Sequence, residues 1–92
     1  MPDLLDDDVI ERALTDLAWK REGWALRRTV TRNDFADAIK FVNRVAELAE
    51  EADHHPDISI SWKTVELTLS THSAGGITQL DLDLAGRIDR LG

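Results

Sequence analysis

Two short runs of alternating apolar and polar side chains, joined at Lys63-Thr64, constrain the fold of this chain most strongly. The apolar members are Ile58, Ile60 and Trp62 before the junction and Val65, Leu67 and Leu69 after it. A period of two is typical of strands, whose side chains point alternately to opposite faces of a sheet. We therefore predict an antiparallel hairpin that turns at Lys63-Thr64. Its register would pair Trp62 with Val65, Ile60 with Leu67 and Ile58 with Leu69, so that one face is wholly apolar.

The histidines of the chain lie around this hairpin. All three, His54, His55 and His72, fall between Glu50 and Asp81. The predicted register, carried outward, places His55 opposite His72. The pKa of an unperturbed imidazole is about 6.5, which allows it to give or take a proton near neutral pH. A single histidine in a loop is more often structural, but three at one end of a hairpin favour acid/base chemistry.

An acidic triplet, Asp6-Asp7-Asp8, precedes a helical pattern of apolar residues that extends to Leu17. Carboxylates at the start of a helix cap free N–H groups and meet the positive end of the helix dipole. A metal cluster is the alternative interpretation of three adjacent acids. We favour the cap and predict a helix over about residues 8–17.

Turn and cap residues define the next elements. Gly23 separates two strand patterns, Trp19–Glu22 and Trp24–Thr31, which predict a second hairpin. Asp34 is a good N-cap for a helix over Phe35–Ala52.

A final helix begins at Thr78, and Asp81 follows it at the spacing of a capping box. Asp81 therefore has a structural interpretation as good as a catalytic one. The order helix, two strands, helix, two strands, helix predicts one α+β domain over residues 1–92 (α-β-β-α-β-β-α). It would have a four-stranded antiparallel sheet with three helices packed on one face.

The composition argues against several classes of protein. A net charge of −7 does not suit a protein that must neutralise nucleic-acid phosphates. The lack of cysteine excludes disulfides, thiolate zinc sites and cysteine nucleophiles. The start of the chain lacks a basic region followed by an apolar run, and no later segment approaches the length of a membrane span. We expect a cytoplasmic protein that binds neither nucleic acid nor membrane.

A set of residues at defined spacing extends across the region that holds the histidines: Glu50, His54-His55-Pro56, Trp62, His72 and Asp81. This set resembles the signature of the pterin-4a-carbinolamine dehydratase family. The likeness continues upstream through Trp19 and 29–35, and downstream through 71–76 and 83–85. It covers roughly residues 14–90.

The resemblance implies an activity and roles for the site residues. The activity is loss of water from the 4a-hydroxytetrahydropterin left by aromatic amino-acid hydroxylation, which gives quinonoid dihydropterin and serves recycling of the pterin cofactor. His54 and His72 would transfer protons, and His55 would hold the pterin. The expected substrate-binding residues are Glu50, Pro56, Trp62 and Asp81, of which Glu50 and Asp81 could instead orient imidazoles. No metal or organic cofactor is expected, since two groups that titrate near neutral pH suffice for a dehydration.

The predicted helix Phe35–Ala52 is apolar over about half of its circumference, wider than the roughly 100° stripe that one core requires. Either a second copy covers the excess, or the sheet wraps the helix deeply. A small domain gains stability from association, and the resemblance implies dimers joined through their sheets and tetramers joined through helices. We predict a homodimer or homotetramer, with Phe41 and Leu48 at a contact between helices of different copies.

Two other classes of function stay open. The histidines could bind a divalent metal together with Glu50 or Asp81, although no pair has the helical spacing of a preformed site. Members of the family are also known to act as partners of other proteins. A non-catalytic interaction protein of the same fold is therefore the second alternative.

Overall fold

The computed structural model describes residues 3–91 of the 92-residue chain. Its elements, in chain order, are α1 (Asp7–Leu14), β1 (Lys20–Glu22), β2 (Ala25–Thr31), α2 (Phe35–Ala52), β3 (Asp57–Ser61), β4 (Thr64–Leu69) and α3 (Gln79–Asp89). The strands form one antiparallel sheet in the spatial order β1-β2-β4-β3. The predicted α+β class and its order of elements are confirmed.

The sheet is apolar on the side that meets the helices. Leu26 and Val30 of β2, and Val65, Leu67 and Leu69 of β4, are buried and alternate with less buried polar residues. Helix residues that complete this core are Ile10, Phe41, Val45, Leu84 and Ile88. The period of two therefore identified the core face of β4 correctly, since successive side chains of a strand point to opposite faces.

The other face of the sheet is polar, and ion pairs connect side chains of its neighbouring strands. Arg27 Nη2 lies 2.6 Å from Glu66 Oε2, and Arg27 Nη1 lies 3.3 Å from Glu22 Oε1. The hydrogen bond to Glu66, followed by the charges of both glutamates, raises the pKa of Arg27 above its usual value. These pairs link β1, β2 and β4 on the side away from the helices.

The predicted register of the second hairpin is wrong by two residues. Ile60 pairs with Val65 and Ile58 with Leu67, and the turn is Trp62-Lys63 instead of Lys63-Thr64. A shift of two keeps each side chain on its predicted face, but it removes Trp62 from the apolar row. Trp62 is 69% exposed, and its backbone adopts a φ of +53°, a region that bulky residues rarely adopt.

The reason for this register is that Thr64 belongs to the ladder. It pairs with Thr31 of β2 on one side and with Ser61 of β3 on the other. A β-branched residue suits such a central strand, so the turn forms one residue earlier than we predicted. The ladder between β3 and β4 ends at Asp57 and Thr68. His55 and His72 are therefore not a cross-strand pair, contrary to the prediction.

Helix α1 is shorter than predicted and is capped differently. It ends at Leu14, whereas the apolar pattern suggested residue 17. Asp6 occupies the N-cap position, but its side chain makes no cap hydrogen bond, while Asp7 and Asp8 lie in the first turn. The predicted side-chain cap by Asp6 is therefore wrong. Asp7 and Asp8 lie near the positive end of the helix dipole, and Asp7 Oδ1 also pairs with Arg21 Nη1 at 2.7 Å.

Helix α2 has its predicted bounds, and the Asp34 side chain accepts a hydrogen bond from the backbone N of Asp37 at 2.8 Å. Its wide apolar stripe is largely covered by the chain itself. Phe41 is only 2% exposed and belongs to the core, so the prediction that it lies at a contact between copies is wrong. Leu48 is half-buried at the margin of that core and keeps some exposed surface.

Within residues 3–91, no helix has both the length and the apolar character that are needed to cross a bilayer.

Candidate active site

The end of α2 directs the two adjacent histidines to different environments. Asp53, the C-cap residue, has φ 50° and ψ 42°, a left-handed conformation that aspartate tolerates better than most residues. The backbone N of His54 donates to Ala49 O at 3.1 Å, which closes the last turn of the helix. The side chain of His54 is 10% exposed, whereas that of His55 is 56% exposed. Pro56 then leads into β3 with a fixed, extended φ.

The imidazole of His54 forms a hydrogen bond with a buried carboxylate. Its Nε2 atom lies 2.5 Å from Oδ1 of Asp81, whose side chain is fully buried. Asp81 stands in the first turn of α3, where it also accepts a hydrogen bond from the backbone N of Thr78 at 2.9 Å. The predicted capping box is therefore confirmed. Asp81 is fully buried behind His54, a place that fits the predicted alternative in which it orients an imidazole, and its contact with a ligand stays a prediction.

His55 is paired with Glu50 at the surface. His55 Nε2 lies 2.5 Å from Glu50 Oε2, and the glutamate side chain is 76% exposed. Water and salt weaken such an exposed pair. Glu50 therefore restricts the orientation of His55 less firmly than Asp81 restricts that of His54.

His72 lies in a short loop between β4 and α3. The loop is closed by Thr71, whose backbone N donates to Gly76 O at 2.8 Å and whose carbonyl oxygen accepts from Gly75 N at 2.9 Å. Gly75 has a φ of +75°, which a residue with a side chain would adopt only with strain. His72 itself is exposed, and its ring makes no hydrogen bond to residues 3–91. Both ring nitrogens are thus available to a ligand.

All three histidines line one pocket of about 350 Å³ that is open to solvent. The other lining residues are Asp53, Ser70, Thr71, Ser73 and Leu80. Leu80 is an exposed apolar residue in the first turn of α3 and supplies a nonpolar surface beside the imidazoles. An open pocket with polar groups on several sides and one apolar wall suits a small, flat, polar ring.

The remaining predicted site residues lie outside this pocket. Glu50 reaches it only through His55. Pro56 precedes β3, and Trp62 lies at the opposite end of that strand, where Lys63 Nζ is 4.5 Å from the centre of its ring. Within one chain, Trp62 does not contact the histidine pocket.

The sequence prediction missed Thr71, which lines the pocket and also contacts Asp81 beneath it. Its signals in the sequence were its position directly before His72 and its place in the 71–76 run of the family resemblance. Hydroxyl residues are common in loops, so that position alone does not reveal the contact.

Across residues 3–91, no three histidine, aspartate or glutamate side chains are grouped so that they could share a metal ion.

Comparison with known proteins relates this geometry to a family. The family model described as pterin 4 alpha carbinolamine dehydratase matches residues 3–91. A protein of Nocardia farcinica is 57% identical over 97% of this chain and 95% of its own length. One of Mycobacteroides abscessus is 59% identical over 94% of this chain and 93% of its own. Both relatives bear the name of a pterin-4-alpha-carbinolamine dehydratase only provisionally.

Two solved structures have a similar backbone. A transcriptional coactivator/pterin dehydratase from Brucella melitensis superimposes with a TM-score of 0.92 at 32% identity, over 97% of this chain and 98% of that one. A pterin dehydratase-like protein identified as a RuBisCO assembly factor in the alpha-carboxysome gives a TM-score of 0.66 at 22% identity, over 82% and 87%. The second likeness shows a shared fold alone.

Proposed function

Because the chain belongs to the pterin 4 alpha carbinolamine dehydratase family, we propose that it removes water from a 4a-hydroxytetrahydropterin to give quinonoid dihydropterin. The observation that carries this proposal is the convergence of His54, His55 and His72 on one open pocket. A flat heterocycle can enter such a pocket with its edge facing imidazoles, a type of group that titrates near neutral pH.

The proposed reaction needs two proton transfers. The bond from C4a to the hydroxyl oxygen breaks, and the hydroxyl leaves with an added proton as water. The ring nitrogen next to C4a loses its proton, and the electron pair of that N–H bond forms the new C=N bond. Positioned acids and bases typically accelerate such steps by about 10²–10⁴-fold. No metal or organic cofactor takes part in the step that we propose.

The surroundings of each imidazole support a division of labour. His54 is rigidly held by Asp81, and His72 has both ring nitrogens available, so we assign proton transfer to these two. His55 is oriented by Glu50 at the rim and is assigned to holding the pterin. Leu80 offers an apolar contact for the ring.

A direct assay of a synthetic 4a-hydroxytetrahydropterin tests this function. The unmodified protein should accelerate the loss of water. His54→Gln and His72→Gln should each lower turnover by about 10² or more, because glutamine keeps hydrogen-bonding capacity but cannot exchange a proton near neutral pH. The control is Ser61→Ala, at the end of β3 away from the pocket. If both histidine variants retained full turnover, the proposed mechanism would be wrong.

We further propose that the activity serves pterin recycling in the cytoplasm and that the protein acts as a homodimer or homotetramer. The short chain and the partly exposed Leu48 at the margin of the core support association.

A non-catalytic interaction role is the second candidate. The Brucella melitensis protein is described as a coactivator as well as a pterin dehydratase, and the carboxysome protein as an assembly factor. The complete set of pocket histidines favours catalysis here, because an interaction role alone does not need them. Normal folding without any acceleration of dehydration would favour the interaction role.

A further inference from the structure

A buried chain of hydrogen bonds lies beneath the histidine pocket and joins the His72 loop to His54. Thr71 Oγ1 donates to Asp81 Oδ2 at 2.8 Å and lies 2.7 Å from Thr78 Oγ1. Asp81 Oδ1 meets His54 Nε2 at 2.5 Å. Thr71 is 4% exposed, and Thr78 and Asp81 are fully buried. Water therefore has little access to these contacts.

The direction of each bond in this chain is determined by the number of hydrogens available. A hydroxyl has one hydrogen to donate. Thr71 gives its hydrogen to Asp81, so in the contact between the two threonines the hydroxyl of Thr78 donates to Thr71. Thr78 Oγ1 in turn accepts from the backbone N of Leu80 at 3.2 Å. The Leu80 N–H thus donates to Thr78, the Thr78 hydroxyl to Thr71, and the Thr71 hydroxyl to Asp81.

Within this series of hydrogen bonds, both oxygens of Asp81 act as acceptors. Oδ2 accepts from Thr71 Oγ1 and from the backbone N of Thr78, which leaves Oδ1 for His54. The chain is complete when Asp81 is a carboxylate and His54 carries its hydrogen on Nε2. In a neutral imidazole the second nitrogen is then an acceptor. Nδ1 is the nitrogen left to meet a ligand.

We propose that Thr71 is a positioning residue, whose hydroxyl holds Asp81 so that His54 keeps the Nε2–H tautomer and presents Nδ1 to the pocket. The catalytic part of this inference rests on the proposed dehydratase function, whereas the tautomer does not. Thr71 also closes the loop that carries His72. One residue thereby couples the two segments that bring histidines to the site.

Thr71→Val removes the hydroxyl at nearly constant shape, and Thr71→Ser restores it. The first readout is the nitrogen NMR spectrum of the His54 ring, which distinguishes the two tautomers without any substrate. We expect the Nε2–H form in the unmodified protein and in Thr71→Ser, and a mixture of tautomers in Thr71→Val. Thr68→Val is the matched control, because Thr68 is a half-buried threonine of β4 whose hydroxyl makes no hydrogen bond to residues 3–91.

The second readout is the kinetics of dehydration. Thr71→Val should lower kcat by about 10- to 100-fold with little change in KM, by analogy with the outer partners of metal-bound imidazoles. Thr71→Ser should recover most of kcat, and Thr68→Val should leave it unchanged. A raised KM with an unchanged His54 tautomer would instead mean that the Thr71 hydroxyl binds the ligand directly, and would overturn the proposal.

The two readouts separate failure of the inference from failure of the proposed function. An inactive unmodified protein whose His54 tautomer responds to Thr71→Val would refute the dehydratase function and retain the positioning role. An Nδ1–H tautomer in the unmodified protein would refute the positioning role even if Thr71→Val fails to fold.

Discussion

Replacing Asp89 with alanine is expected to destabilise the protein by about 3 kcal/mol, because its carboxylate ties the end of α3 to the start of the sheet. Asp89 Oδ1 accepts from Trp19 Nε1 at 2.9 Å and from Arg28 Nη1 at 2.8 Å, and Oδ2 accepts from the backbone N of Ala18 at 2.8 Å. Trp19 is 4% exposed and the Arg28 side chain 17%, so water replaces the first two bonds poorly. Sheltered hydrogen bonds to a charged group contribute roughly 1.5–3 kcal/mol each, whereas the exposed Ala18 bond contributes less.

Urea unfolding followed by circular dichroism measures this loss, with Asp83→Ala as the matched control. Asp83 is an exposed residue of the same helix and, among residues 3–91, accepts a side-chain hydrogen bond from Gln79 alone, so its replacement should change stability by less than about 0.5 kcal/mol. For a chain of this size, about 3 kcal/mol corresponds to a fall in Tm of roughly 12–24 °C. A difference below about 1 kcal/mol between the two variants would refute this account of Asp89.

The same experiment separates the stability of α3 from the chemistry of the pocket. Along a helix that rises about 1.5 Å per residue, Asp89 lies roughly 12 Å from Asp81. We therefore expect the folded fraction of Asp89→Ala to keep its dehydratase kcat. A lowered kcat in fully folded protein would show that the end of α3 influences the position of Asp81.

Three further predictions concern metal dependence, pH and assembly. Turnover should be insensitive to a strong chelator, and activity lost with EDTA and restored by zinc would favour a metal site instead. The backbone N–H of Asn33, and then Arg32, lower the pKa of Asp37. Its stabilising contribution is therefore present above the unfolded pKa of about 3.9 and is lost as pH falls through the lower folded value. Asp37→Asn should accordingly lower the free energy of unfolding at pH 7 but not in strong acid, and an equal loss at both pH values would contradict this cause. Leu48→Glu should split a larger assembly into smaller folded species by light scattering, whereas a monomeric unmodified protein would contradict the predicted association.

Local signals in the sequence predicted most of the fold. Asp34 and Thr78 mark the starts of α2 and α3 because their side chains satisfy N–H groups within the next turn. Gly23 marks the first turn because its φ of +60° favours glycine. Each of these effects acts over a few residues, so the sequence alone was sufficient.

The register of the second hairpin could not be predicted in this way. Trp62 occupies the same position in its turn as Gly23 does in the first hairpin, with a similar positive φ. No turn preference predicts tryptophan there. The competing requirement is that Thr64 pairs with strands on both sides, and this depends on how β2 docks against β4. The wrong register also produced the wrong pairing of His55 with His72.

The contacts inside the candidate site depend on a similar long-range arrangement. His54 meets Asp81 only because α3 packs beside the end of α2, and Thr71 meets Asp81 only because the His72 loop folds back over the start of α3. The spacing of the histidines suggested a common site. It could not show that Asp81 is buried behind one of the imidazoles.

The arrangement at Asp81 decides which substitution can test the chemistry of the site. This carboxylate closes the capping box of α3 and also holds His54, so any change at Asp81 alters helix stability and imidazole orientation together. A loss of activity in such a variant would not distinguish the two causes. Thr71 is one hydrogen bond further away, and its hydroxyl contacts Asp81 without belonging to the helix cap. Removing that hydroxyl leaves the bonds from Thr78 N to Asp81 and from Leu80 N to Thr78 in place but takes away the acceptor of the Thr78 hydroxyl. Thr71→Ser restores that acceptor, so a His54 tautomer that changes in Thr71→Val and recovers in Thr71→Ser follows from the Thr71 hydroxyl itself.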